Sequence, residues 1–172
     1  MNIASLVRKL IVPALLLAPM GAQAATISLF SSIDGPQAGV ASPGTGTGIM
    51  TYDDVTNLLS WDISFSGLLA GTTVSHFHGP ALPGDPAGVQ VAIPLGSAFG
   101  QTSGTLLGSA PITAAQEADL LANLWYINIH SSLYPNGEIR GQVEVVPLPA
   151  AVWLLGSGLL TVLGLARRWR AS

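Results

Sequence analysis

WYINIHSSLYPNGEIRGQVEV, residues 125–145, contains two stretches of alternating apolar and polar side chains with a turn signal between them. In the first stretch Trp125, Ile127 and Ile129 fall on one face of an extended chain, and the polar residues fall on the other. Pro135 fixes φ at the first central position of a turn, and the Asn-Gly pair after it tolerates the conformations that follow. The segment therefore predicts a β-hairpin with one buried face and one polar face.

Similar patterns elsewhere in the chain predict further strands. Residues 59–65 alternate cleanly, and residues 72–78 form a second strand that Gly79 and Pro80 end. Shorter strands are predicted at 25–33, 49–52, 89–93 and 105–107, whereas the Gly- and Pro-rich residues 34–48 predict a surface loop. Thr113 to Gln116 match a capping box, so we expect a helix from 114 to about 122. The predicted fold is all-β, an antiparallel β-sandwich or a barrel-like arrangement with one short helix.

Both ends of the chain carry targeting patterns. Arg8 and Lys9 precede a short apolar run that closes with Ala-Gln-Ala at 22–24, so we interpret residues 1–24 as a secretory signal peptide. Residues 148–166 contain no charge and are long enough, at about 1.5 Å per residue, for a transmembrane helix. The tail 167–172 is basic, and a basic cluster beside a span favours the cytoplasmic side. We therefore expect residues 25–146 to be exported as one domain.

The charge of that domain excludes one class of function. Residues 25–146 hold one basic residue, Arg140, against nine acidic ones, a net charge of −8 with the histidines neutral. Such a surface repels phosphate backbones, so we expect no nucleic-acid partner. The chain has no cysteine, and the domain must therefore be stable without disulfide bonds.

Three histidines are the candidate metal ligands of the sequence. His76 and His78 are two residues apart on a predicted strand and point the same way, and His130 lies on another strand. Such a set could bind Zn²⁺ or Cu²⁺. The alternative is structural: the rings donate hydrogen bonds to loop carbonyls or to Glu138.

Two other polar groups also allow more than one interpretation. Ser75, His76 and Asp62 could form a hydrolase triad, but the nucleophile-elbow sequence is missing. Glu138 and Arg140 are two residues apart on a strand, and an ion pair or bonds to backbone carbonyls would account for both. We therefore assign no catalytic residues.

The order of these motifs along the chain resembles the CHRD domain, a module named after chordin and also found in bacterial exported proteins. His-Phe-His-Gly-Pro-Ala at 76–81 is followed by the helix, by Asn-Ile-His at 128–130 and by Tyr-Pro-Asn-Gly-Glu-Ile-Arg-Gly-Gln at 134–142. The resemblance covers about residues 28–145 and implies an all-β extracellular module without established catalytic activity. Its structural motif residues here are Gly79, Pro80, Asn128, Pro135, Gly137, Glu138, Arg140 and Gly141.

Residues 147–172 resemble the PEP-CTERM sorting signal of Gram-negative bacteria. Pro147 and Pro149 form the proline motif, with Leu148 where the name-giving form has Glu, and Arg167 and Arg168 follow the apolar segment. The resemblance implies processing by an exosortase-type membrane enzyme. It says where the protein goes and not what it does there.

The sequence as a whole predicts a non-catalytic protein of the cell envelope or extracellular matrix. The precursor would be anchored in the inner membrane by its C-terminal helix until processing, and would then bind an extracellular polysaccharide or protein. We expect no cofactor. The alternative is a metal-binding protein or metalloenzyme that holds Zn or Cu at His76, His78 and His130.

Overall fold

The computed structural model describes residues 26–147, which form an all-β, antiparallel and nearly closed barrel-like sheet with one α-helix. Of the two predicted architectures, the barrel-like one is therefore confirmed. The strands are β1 Thr26–Asp34, β2 Thr45–Asp53, β3 Leu58–Ser66, β4 Thr72–His78, β5 Val89–Ala92, β6 Gly104–Pro111, β7 Tyr126–Ser131, β8 Ile139–Gln142 and β9 Glu144–Val145, and the helix α1 is Ala114–Leu121.

The strand order places the histidine-bearing strands side by side. The sheet runs β5-β4-β7-β8-β1-β2-β3-β6, and β9 pairs with β1. All these pairs are antiparallel, so short connections join chain neighbours such as β2 and β3. Because β4 lies between β5 and β7, the His-x-His strand is next to the first strand of the hairpin that ends the domain.

The core joins the two halves of the curled sheet. Trp61 of β3 packs edge-on against Phe77 of β4, with ring centroids 5.3 Å apart, and Phe77 in turn contacts Trp125 at 6.1 Å. Ile63 and Phe65 belong to the same buried cluster. From their alternation we also predict that Trp61, Ile63, Phe65 and Trp125 belong to the core, and the structure confirms this, because each strand points every second side chain inward.

Strands β2 and β6 are longer than predicted, and in both the extra length includes glycine residues. β2 begins at Thr45, inside the predicted loop, because Gly46 and Gly48 are strand residues at points of close packing. A Cβ at Gly48 would lie 2.8 Å from Ile127 Cδ1. β6 extends to Pro111, and a Cβ at Gly108 would lie 2.6 Å from the Trp61 ring. These glycines leave room for large core side chains instead of marking a turn.

The helix begins as predicted. Thr113 Oγ1 accepts a hydrogen bond from the Gln116 N–H at 3.3 Å, and Gln116 Oε1 accepts from the Thr113 N–H at 2.9 Å. Leu120 is fully buried on the inner side of the helix. The predicted helix and its capping box are both confirmed.

The outer face of β1, β2, β3 and β6 presents three cross-strand rows of side chains. The central row contains Phe30, Ile49 and Leu107, which are 40%, 62% and 67% exposed, together with Asp62. The row on each side consists only of hydroxyl residues: Ser28, Thr51, Ser60 and Ser109 on one side, and Ser32, Thr47, Ser64 and Thr105 on the other. Neighbouring rows are about 7 Å apart, which is two residues along a strand.

The predicted signal peptide, membrane span 148–166 and basic tail lie outside the described residues. Of the sorting segment 147–172, only Pro147 is described. Within residues 26–147, no helix has the length and apolar character needed to cross a bilayer.

Candidate functional site

Strands β4 and β7 bring the three histidines together on one face of the sheet. In the register of these strands, His76 is opposite Asn128, and His130 is opposite Val74, two residues before His76. His78 is two residues after His76 on the same strand and therefore points to the same side. The ring centroids are 5.4 Å apart for His76 and His78, 5.6 Å for His76 and His130, and 6.1 Å for His78 and His130.

The histidine cluster is largely closed to solvent. His78 and His130 are only 9% and 8% exposed, and His76 is half-buried. One ring nitrogen from each of the three residues lies within 4.8 Å of the other two. The structure thus assembles the three residues that the sequence marked as candidate ligands.

Two backbone carbonyls fix the tautomers of the buried rings. His78 Nδ1 is 2.9 Å from the Ala87 carbonyl oxygen, and His130 Nδ1 is 2.7 Å from that of Pro135. A carbonyl oxygen only accepts hydrogen bonds, so each Nδ1 carries a proton and, in the neutral ring, each Nε2 keeps a free lone pair.

Each ring then leaves one buried nitrogen without a partner. These atoms are Nε2 of His78, Nε2 of His130 and Nδ1 of His76. An unpartnered buried polar group costs about 1–3 kcal/mol. The alternative in which the rings serve as structural donors to loop carbonyls accounts for one nitrogen of His78 and one of His130. It does not account for the three that remain.

Burial favours the neutral form of two of the rings, those of His76 and His130. It is the main cause that lowers the pKa of His76, and the nearby His130 and His78 lower it further. Burial likewise lowers the pKa of His130, although the bond to the Pro135 carbonyl opposes this effect. Neutral imidazole is the form that can bind a metal ion.

The hairpin face that carries the polar residues of β7 is also buried, so the predicted contrast between one buried face and one polar face is wrong. Tyr126 and Asn128 are only 4% and 7% exposed, and every residue of β7 is buried. Residues 79–88, the connection between β4 and β5, pass over the face, and Arg140 donates hydrogen bonds to the carbonyl oxygens of Asp85 and Leu82 at 2.8 and 3.3 Å. The loop offers backbone groups that a side-chain pattern does not reveal.

A stack of three side chains supports one edge of the histidine cluster. The Tyr126 ring lies parallel to that of His78, with centroids 5.1 Å apart and planes 10° apart, and the Arg140 guanidinium lies 3.5 Å from the Tyr126 centroid. The Tyr126 hydroxyl accepts a hydrogen bond from the Ala87 N–H at 3.0 Å. Ala87 therefore holds both members of the stacked ring pair, since its carbonyl also bonds His78.

Glu138 and Arg140 bond to different partners and not to each other. Glu138 is fully buried, and its Oε1 accepts from Ser42 Oγ at 2.7 Å and from the Leu69 N–H at 2.6 Å. Of the two predicted roles for Arg140, the structure shows the bonds to backbone carbonyls. Glu138 therefore fixes two connections to the hairpin, the one between β1 and β2 and the one between β3 and β4, whereas Arg140 fixes residues 79–88.

The remaining motif residues are positions of close packing. Gly137 has φ of +122° and lies against the Asn128 side chain, whose Nδ2 donates to the Asn136 carbonyl at 3.0 Å. Gly79 packs on the Trp125 ring and joins Pro80 through a cis peptide bond. The other contacts are Gly141 against Ser32, and Pro135 in the turn that the Gly137 N–H closes on the Tyr134 carbonyl.

The hypothetical hydrolase triad is not assembled. Ser75 is fully buried with its hydroxyl unpartnered, and His76 points to the opposite face of β4. Asp62 is exposed on the outer face of β3. No hydrogen bond joins these three residues in the part of the chain that the structure describes.

Two grooves flank the histidine cluster. The first, of about 430 Å³, is lined in part by Tyr126, Asn128 and Arg140. The second, of about 390 Å³, is lined in part by His76 and the exposed Phe99. Sequence reasoning missed both grooves and also missed the supporting role of Tyr126. The only sequence signal for Tyr126 was its place in the alternating stretch, on the same face as Asn128 and His130.

Comparison with known proteins identifies the domain. No curated protein and no solved structure matches the chain, but the CHRD domain model matches residues 28–143. This range is more than half of the 172-residue chain and includes the histidine cluster, the covered hairpin and the outer four-stranded face. The chain therefore belongs to the CHRD domain family.

Proposed function

We propose that this protein is an exported, non-catalytic component of the cell envelope or extracellular matrix that binds polysaccharide through the outer face of β1, β2, β3 and β6. Membership of the CHRD family suggests a binding or structural domain and not an enzyme. The observation that carries the proposal is the row of Phe30, Ile49 and Leu107 between two rows of hydroxyl residues.

The chemistry of this face suits a sugar chain. A sugar ring has apolar C–H faces and a rim of hydroxyl groups, so an apolar row can contact the ring while the hydroxyl rows bond its rim. Asp62 is the only charged side chain that β1, β2, β3 and β6 place in these three rows, and Glu144 of β9 pairs with Phe30 at the end of the central row. Large apolar side chains that are exposed together on a folded domain often mark an interaction site.

The ends of the chain support the location in this proposal. Residues 1–24 have the composition of a signal peptide, and Pro147, Pro149, Arg167 and Arg168 resemble the PEP-CTERM signal. The precursor would be held in the inner membrane by residues 148–166 until an exosortase-type enzyme processes it. The mature protein would then lie in the envelope or outside the cell of a Gram-negative bacterium.

A sedimentation assay tests the binding face. The full chain is mixed with polysaccharide isolated from the matrix of the producing organism, and the fraction that sediments is measured. We expect Ile49→Glu to weaken binding at least about tenfold, or about 1.4 kcal/mol, because it places a charge in the apolar row.

A matched control separates the face from a general charge effect. Val55→Glu adds the same charge at a residue that is 64% exposed in the turn between β2 and β3. It should leave binding unchanged. Equal binding by the wild type and Ile49→Glu would refute the proposal that this face binds the polysaccharide. If treating the matrix fraction with a protease abolished binding, the ligand would be a protein instead.

Cell fractionation tests the location. Cells that produce the full chain should hold the mature protein outside the inner membrane, and a Pro147→Ala, Pro149→Ala double variant should accumulate as the membrane-bound precursor. A product found only in the cytoplasm would refute the export proposal.

A further inference from the structure

We propose that His76, His78 and His130 bind one divalent transition-metal ion of the Zn²⁺ and Cu²⁺ class, through Nδ1 of His76 and Nε2 of the other two. The site lies on β4 and β7 and is independent of the polysaccharide face, which lies on β1, β2, β3 and β6. Two observations carry it: one ring nitrogen from each histidine lies within 4.8 Å of the other two, and each ring has one buried nitrogen without a hydrogen-bond partner.

The surroundings of the rings match those of a metal site. A histidine that ligates a metal usually donates its other ring N–H to a carbonyl or carboxylate, which orients the ring and fixes the tautomer. His78 and His130 both do so, to Ala87 and Pro135. Each is at least nine-tenths buried, so its free Nε2 is directed into the protein and not into water.

The donor set selects the class of ion. The clustered groups of this site are all imidazoles, which suit Zn²⁺ and Cu²⁺, whereas Ca²⁺ and Mg²⁺ require oxygen ligands. Three imidazoles are also the protein ligands of a known type of zinc centre that keeps its fourth position open. Because His76 is only half-buried, that position is within reach of water or of an oxygen atom from a bound ligand.

The distances require only a small closure of the site. A tetrahedral ion with bonds of about 2.0–2.1 Å holds its nitrogens about 3.3 Å apart. Starting from separations of at most 4.8 Å, the rings would approach by no more than about 1.5 Å. His78 is held by the stack with Tyr126 and Arg140, so we expect the half-buried His76 to make most of this movement.

The net charge of the domain favours a cation. Residues 25–146 carry nine acidic groups and one basic group, which raises the local concentration of cations around the domain. Arg140, the basic group, is engaged by Tyr126 and by two loop carbonyls. Its charge is thus committed to the loop and to the supporting ring.

The experiment measures metal binding by the full chain, purified without a histidine tag and treated with a chelator. Zn²⁺ is titrated by calorimetry, and Cu²⁺ is followed by electron paramagnetic resonance. We expect one ion per chain, a Cu²⁺ spectrum with three imidazole nitrogens, and a higher Tm with Zn²⁺ present. His76→Ala should weaken binding at least about 100-fold and leave two nitrogens, since loss of a group that merely supports a ligand already costs about 10–100-fold.

A check of folding and a control variant keep the test decisive. His76 is the least buried ligand, so His76→Ala should fold even if His78→Ala and His130→Ala do not, and circular dichroism checks this for each variant. Thr73→Ala, at an exposed position on the same strand, should bind metal as the wild type does. Absence of saturable binding for both ions, or equal binding by the wild type and a folded His76→Ala variant, would overturn the proposal.

Discussion

Replacement of Glu138 tests how the hairpin is attached to the rest of the barrel. Its carboxylate is fully buried, and Oε1 accepts two hydrogen bonds, from Ser42 Oγ and from the backbone of Leu69. Ser42 lies in the connection between β1 and β2, and Leu69 lies in the connection between β3 and β4, so one side chain ties two distant segments to the end of the turn. Glu138→Ala would remove the acceptor and leave the buried Ser42 hydroxyl and the partly buried Leu69 N–H without this partner.

The hydrogen bonds give the size of the effect. A hydrogen bond to a charged group contributes about 1.5–3 kcal/mol, and two are lost together with the packing of the side chain. We therefore expect Glu138→Ala to lower the free energy of unfolding by about 3–5 kcal/mol. At about 4 °C per kcal/mol for a domain of this size, Tm should fall by about 12–20 °C.

The pH dependence adds a second readout. Burial raises the pKa of Glu138, but the hydrogen bonds that its carboxylate accepts, among them those from Leu69 and Ser42, outweigh burial, and the pKa lies below its ordinary value of 4.5. A carboxyl whose pKa is lowered by folding stabilises the protein above its unfolded pKa. This contribution disappears as the pH falls through the folded pKa. Glu138→Gln should therefore flatten the loss of stability below about pH 4.5.

Chemical denaturation between pH 7 and pH 3 measures both effects. Glu144→Gln removes an exposed carboxylate from β9 and serves as the control, with a change of at most about 0.5 kcal/mol. If Glu138→Ala and Glu144→Gln were equally stable at pH 7, the reasoning that Glu138 fixes the two loops would be refuted.

The other predictions concern the core, the loop and alkaline stability. Burial, aided by Glu117, raises the pKa of Tyr52 to about 12, so its contribution to stability is complete below pH 10 and is lost as the pH rises to about 12. Tyr52→Phe should flatten that decline, of at most about 1.4 kcal/mol per pH unit, in alkaline denaturation curves. Arg140→Lys should lower the free energy of unfolding by about 2–3 kcal/mol and speed hydrogen exchange in residues 79–88. The reason is that a lysine cannot both donate the two hydrogen bonds to the loop carbonyls and stack on Tyr126. Unchanged exchange would contradict this. Gly48→Ala should lower the free energy of unfolding by about 1–3 kcal/mol, because the new methyl group crowds Ile127. Adding Ile127→Val should recover part of that stability. Additive effects in that double-mutant cycle would contradict the contact.

The sequence predicts the regular strands well. β4 begins and ends at the predicted residues, and β3 differs by one residue at each end, because the alternation of apolar and polar residues in both reflects direct burial of one face. The capping box locates the start of α1 for a similar reason, since all its interactions are local. Such features depend on neighbouring residues alone.

Features that depend on distant segments are not predicted. Gly46 and Gly48 look like a loop until Ser64 and Ile127, respectively, are placed against them, and the polar side of β7 looks solvated until residues 79–88 cover it. The three histidines could be proposed as a group, but a side-chain pattern does not show that the backbone carbonyls of Ala87 and Pro135 orient two of them. Their free nitrogens become visible only when the backbone is in place.

The burial of Arg140 in β8 has a consequence for digestion by trypsin-like proteases. These enzymes cut after lysine or arginine, and between residues 26 and 147 the only such bond joins Arg140 to Gly141. Both residues are buried and paired with β7, so cleavage requires the hairpin to open. The folded domain is thus resistant to this whole class of protease, and cleavage at that single bond provides a direct clock for its unfolding.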